Sequence, residues 1–160
     1  MEDPSAIYRI LLLLHIAASI VGFGGVIAHG AYNARAFRAK AGEAAVLLRT
    51  TATVTNIAHY SIYAVLVFGI LLISASSGDV SFSEPWISAG FLLWFLLVGA
   101  AHGLVRPAVR GLTERAEALP ADALLSDDAA ATAAAKKLAL GGAATQLLLA
   151  AALVVMIWRF

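Results

Sequence analysis

Four stretches of the chain run without Asp, Glu, Lys or Arg: between Arg9 and Arg35, Arg49 and Asp79, Glu84 and Arg106, and Lys137 and Arg159. Each supplies the roughly 20 mainly apolar residues that a helix needs to cross a bilayer. Lipid offers the backbone no hydrogen-bond partners, so spanning segments of this kind must be helices. The pattern predicts an all-α transmembrane four-helix antiparallel bundle, one domain over residues 1–160. Its spans fall at about 9–32, 53–75, 85–105 and 138–158. The first is predicted to be a permanent helix. Glu2 and Asp3 stand where a signal peptide carries basic residues, and no clear cleavage site follows.

Charge decides the orientation. The segment 33–52 carries Arg35, Arg38, Lys40 and Arg49 against Glu43, and the segment 106–137 carries Arg106, Arg110, Arg115, Lys136 and Lys137. The hairpin between the second and third spans carries no basic residue. The positive-inside rule then makes both basic loops cytoplasmic, with the hairpin and both termini outside. The chain reads as a multi-pass protein of the bacterial cytoplasmic (inner) membrane, with the lipid bilayer as its first partner. Trp86 and Trp158 fall where the external aromatic belt is expected. In the second loop, "RPAVRGLTERAEALPADALLSDD" reads as a short amphipathic helix interrupted by Pro120. Asp127 and Asp128 mark the start of the last helix, where carboxylates offset the helix dipole.

Composition agrees. Hydrophobic residues make up 61% of the 160 and charged residues 13%, against about 45–50% and about 25% in soluble domains. There is no cysteine, which excludes disulfides, thiolate metal sites and thiol catalysis. A net charge of +1 gives no reason to expect a nucleic-acid partner. No phosphate-binding glycine motif is present; "GFGGVIAHG" has the wrong spacing and lies within a span.

The candidate chemistry is histidine. His15 and His29 lie fourteen residues apart in the first span, hence on one helix face and about 21 Å apart along its axis. Ala18, Ser19, Gly22 and Gly25 lie between them on that face, a small-residue stripe of the kind that lets another helix or a flat ligand approach. Counting inward at about 1.5 Å per residue, His29, His59 and His102 share the cytoplasmic half, one per helix, while His15 stands alone in the external half. Asn56, His59, Tyr60 and Tyr63 form one polar stripe on the second helix. Gln146 lies at similar depth on the fourth. Gly99 and Gly103 flank His102, and Arg106 follows it on the same face. Ionisable groups within a bilayer are costly and mark function by default.

A haem between helices needs histidine ligands at matching depth, glycines for close approach and cations for its propionates. His29, His59 and His102 can meet the first need, Gly25, Gly99 and Gly103 the second, and Arg35 or Arg106 the third. The same three histidines can instead hold copper or zinc. No carboxylate lies within the spans, which argues against a carboxylate di-iron site.

Helix one, "LLHIAASIVGFGG", with His15, Gly22, Gly24 and Gly25, resembles the first helix of small bacterial membrane proteins related to the copper-resistance D domain and to the HemJ-type protoporphyrinogen oxidase. The likeness is strongest to an uncharacterised group of predicted membrane proteins in that neighbourhood. The resemblance implies haem binding, with His15 in the position of the haem histidine.

The leading expectation is therefore a membrane protein that binds b-type haem, or a metal ion, through intramembrane histidines in electron transfer or redox chemistry. If it is an enzyme, it is a membrane redox enzyme. Two other readings stay open. One is an accessory or structural subunit of a larger membrane complex or a homo-oligomer, with no cofactor. The other is a small transporter or channel whose polar path runs along Asn56, His59, Tyr60, Tyr63 and Gln146. Ser19 and Ser61 have no recognisable acid–base partners, so a nucleophilic enzyme is disfavoured.

Overall fold

A computed structural model describes residues 5–76 and 80–159. Glu2, Asp3 and Asp79, which entered the sequence reading, lie outside the described residues. The chain folds into α1 (Ala6–Phe37), α2 (Ala41–Ser74), α3 (Pro85–Ala100), α4 (Arg106–Ala118) and α5 (Ala129–Trp158). A five-residue π turn, Ala101–Val105, joins α3 to α4 into one continuous rod. Among the described residues, four helices are long and apolar enough to cross a membrane: α1, α2, the α3–α4 rod and α5.

Around the bundle, α1 packs on α2, α2 on α4, the α3–α4 rod on α5, and α5 back on α1. Small residues bring α1 and α2 close. A Cβ added to Gly25 would lie 2.6 Å from the Cβ of Ala58, and one added to Gly22 would lie 3.5 Å from Ile62. The stripe between His15 and His29 is thus the seam with α2, as packing in lipid favours.

The helices are longer than a bilayer requires. At 1.5 Å per residue, a 30-residue helix measures about 45 Å against a hydrocarbon core of about 30 Å. The surplus lies at the end that carries the basic loops. There Ala36, Ala44, Leu48, Val105, Ala108, Leu112, Leu125 and Ala131 form a packed core. The segment after α4 folds across the α1–α2 turn, with Ala41 N–H donating to the carbonyl of Ala123 at 2.8 Å and Leu125 N–H to that of Ala39 at 3.2 Å. Asp128 caps α5 by accepting from the Ala131 N–H at 2.8 Å. Arg115 grips the same carboxylate with Nε at 3.0 Å and Nη2 at 2.5 Å. Chiefly this guanidinium, with the backbone N–H beside it, lowers the Asp128 pKa to about 2.

One expectation changes in form. The amphipathic stretch from Arg106 is not a separate helix lying in the loop; it continues the third span. Pro107 is the physical reason. It has no N–H for the carbonyl four residues earlier, and its ring crowds that carbonyl. The backbone responds by inserting one residue: the Arg106 N–H bonds the Ala101 carbonyl, five residues back.

At the other end, Arg159 lies 5.4 Å from the ring of Trp86, tying the end of α5 to the start of α3. Half-way along, Ile62, Leu97 and Leu149 form a second core cluster.

Candidate functional site: a histidine-lined cavity

His29 and Asn33 lie four residues apart on α1, hence on one face, and both are buried. They line a half-open cavity of about 560 Å³ between α1, α2, α5 and the α3–α4 rod. His59 and Thr55 contribute from α2, Gln146 from α5, and Arg38 and Lys136 from the basic-loop end. This volume lies within the roughly 300–1,000 Å³ of ordinary small-molecule sites.

The hydrogen bonds fix how each imidazole presents itself. Thr55 spends its hydroxyl hydrogen on the Thr51 carbonyl at 2.9 Å. Its oxygen, 2.6 Å from His29 Nδ1, can then only accept, so His29 carries its proton on Nδ1. His59 Nδ1 lies 2.8 Å from the Thr55 carbonyl, and His102 Nδ1 lies 3.0 Å from the Val98 carbonyl. Carbonyls only accept, so these rings are also protonated on Nδ1. In its uncharged form each ring therefore presents a lone pair on Nε2. For His102 that lone pair faces the Tyr63 hydroxyl at 3.4 Å. For His29 and His59, Nε2 is buried without a partner. Asn33 is 4% exposed, and its side-chain oxygen and nitrogen are both buried and unpartnered as well.

Buried polar atoms normally find partners, and leaving one without costs about 1–3 kcal/mol. Four such atoms on the walls of one cavity form a set of free donors and acceptors held ready inside an apolar bundle. A metal-ligating histidine usually fixes its other ring nitrogen on an acceptor in this way.

Of the three histidines expected at one depth, two touch. The rings of His59 and His102 meet edge to face, 5.6 Å apart. They do not form a closed ligand shell: among the described residues, no group of three or more His, Asp or Glu side chains stands where it could hold a metal ion. His102 is exposed on the outer face of the bundle.

The other expected site residues are distributed as follows. Gly25 sits in the α1–α2 seam at the edge of the cavity. Gly99 and Gly103 face open space, with nothing within 4 Å of an added Cβ. Arg35 points to Glu43 at 3.9 Å, and neither it nor Arg106 lines the cavity. The cations at the cavity are Arg38 and Lys136. Asn56 and Tyr60 are exposed on α2, and Tyr63 bonds His102. Asn33, Thr55, Arg38 and Lys136 were not expected as site residues. The one sequence signal for Asn33 was its place one helical turn beyond His29.

His15 lies in a separate pocket of about 180 Å³ towards the hairpin end. Its Nδ1 is 3.0 Å from the Val65 carbonyl.

This arrangement of spans matches a recognised family along nearly the whole chain: the profile of the predicted integral membrane proteins DUF2269 covers residues 9–160. The chain belongs to the DUF2269 family. Membership makes it an integral membrane protein, in keeping with its four spanning helices. No curated protein and no solved structure matches it. In this DUF2269 protein the cavity brings the candidate polar groups together.

Proposed function

We propose that this protein binds a b-type haem in the cavity at the basic-loop end and serves electron transfer or membrane redox chemistry. The observation that carries the reading is the pair of buried, unpartnered Nε2 atoms of His29 and His59 on the walls of one cavity. Both rings are anchored through Nδ1, so each offers its lone pair in a fixed orientation. Histidine Nε2 is a common axial ligand of haem iron. Arg38 and Lys136 at the same cavity suit the carboxylates of a haem edge, with the apolar remainder of the ring among Val26, Leu97 and Leu138. On the positive-inside reading this edge faces the cytoplasm. A haem held there supplies one-electron chemistry; the chain's part is to bind it, orient it and keep water away.

The resemblance to HemJ-type proteins supports the same cofactor but points to His15. The pocket there has about 180 Å³ against about 560 Å³ beside His29, so volume favours the His29–His59 cavity. The test is an absorbance spectrum of the protein purified from haem-replete cells, before and after dithionite. A Soret band with a reduced α band is expected, weakened in His29→Leu and His59→Leu and unchanged in His15→Leu. A colourless protein that also fails to take up added haem would sink the haem reading, and elemental analysis would then test copper or zinc.

A further inference from the structure

The pocket around His15 meets the histidine cavity only at Ile62 and Leu97, and we infer that it is a binding site for a membrane-dissolved aromatic alcohol of the quinol class. The reading begins with the imidazole. Its Nδ1 donates to the Val65 carbonyl at 3.0 Å, so Nε2 keeps the lone pair, and no described residue hydrogen-bonds it. The ring rests on Gly69, where an added Cβ would lie 3.4 Å from Cε1. Glycine at that position makes room for the ring against α2.

Two other polar groups around it are already engaged. Ser19 gives its hydroxyl hydrogen to the His15 carbonyl at 2.8 Å, and Trp94 gives its indole N–H to the Ile62 carbonyl at 3.0 Å. What remains, besides the Trp86 indole N–H, is the basic nitrogen of His15 on the wall of a mainly apolar pocket. In lipid such an acceptor gains from a partner that brings its own hydrogen, because no bulk water competes.

Size and shape narrow the class of partner. About 180 Å³ is close to the roughly 150 Å³ of a cavity that takes one benzene ring. Phe23, Phe91, Trp86 and Trp94 line it, and aromatic walls favour a flat ring by stacked or edge contacts. A single-ring hydroquinone fits these features. Its hydroxyl donates to His15 Nε2, its ring packs among the aromatic side chains, and any prenyl tail leaves into the lipid. The oxidised quinone has only carbonyl oxygens, which face the Nε2 lone pair without a hydrogen between them. The His15 acceptor therefore selects the reduced form.

The test uses the full chain in detergent under argon and three probes of one shape: tetramethylhydroquinone, its dimethyl ether and tetramethylquinone. Affinities are read by calorimetry or from the rise in unfolding temperature. The hydroquinone is expected to bind about fivefold or more tighter than the ether and the quinone, the margin of one hydrogen bond. His15→Leu should keep binding but bring the three affinities together. Ala152→Phe, which fills the pocket from α5, should abolish binding of all three. Equal affinities in the unaltered protein overturn the inference, and that comparison needs no variant. So does a preference that survives His15→Leu, or binding that survives Ala152→Phe.

Discussion

His29 of α1 and Thr55 of α2 are joined across the helix seam, with Nδ1 2.6 Å from the threonine hydroxyl oxygen. Because Thr55 has committed its hydrogen to the Thr51 carbonyl, this one contact fixes the tautomer of a buried imidazole. It also directs a lone pair to the far side of the ring. Removing the acceptor should therefore loosen the ligand without removing it. Thr55→Val is expected to weaken haem affinity about 10- to 100-fold, the usual effect of losing a ligand's outer partner. Thr55→Ser should stay near the unaltered protein. Titration with haem, followed at the Soret band, measures both; equal affinity in Thr55→Val would remove the role given to this contact.

Asn33 has both side-chain polar atoms buried without partners. Without a ligand this is a net cost, so Asn33→Leu should stabilise the ligand-free protein by about 1–3 kcal/mol. The same change should weaken haem binding, because the amide would no longer be there to meet the haem edge. Unfolding of the ligand-free protein and haem titration together test the pair of effects. A loss of stability in Asn33→Leu would mean that the amide serves the fold and not a ligand.

Gly25 is where α1 and α2 come nearest. An added Cβ would stand 2.6 Å from the Ala58 Cβ and 3.4 Å from its Cα, atoms that move only with the backbone. Gly25→Ala should destabilise by about 1–3 kcal/mol, as overpacking does. Gly24, one residue earlier, has nothing within 4 Å of an added Cβ. Gly24→Ala should be neutral or slightly stabilising through helix propensity. Comparing the two midpoints of unfolding in detergent separates close packing from a general intolerance of alanine.

Asp128 links the loop to the start of α5, and its pKa is lowered to about 2, chiefly by Arg115. A carboxylate whose folded pKa lies below its unfolded value contributes stability above the unfolded value. That contribution fades as pH falls through the folded one. The effect should be fully present at neutral pH and disappear between about pH 4 and pH 2. Asp128→Asn should unfold at a lower temperature than the unaltered protein at pH 6, and the difference should shrink by pH 2.5. A constant difference across that range would show that Asp128 acts through its cap geometry alone.

The sequence by itself determined the four spans, because a bilayer demands long apolar runs and the charged residues fall only at their ends. It also placed the α5 start at Asp128, since a capping carboxylate acts on the first helical turn by local chemistry alone. It assigned faces within a helix, which is why His29 and Gly25 were readable as inward. It did not contain the rotation of each helix about its own axis relative to its neighbours. That is set by packing between segments far apart in the chain. Only the tertiary structure therefore decided that Arg35 pairs with Glu43 while Arg38 and Lys136 border the cavity. It alone placed Asn33 inside. It also decided that the turn at Pro107 leaves His102 on the outer face, bonded to Tyr63. The orphaned Nε2 atoms belong to this second category, because whether a buried nitrogen has a partner depends on every helix that surrounds it.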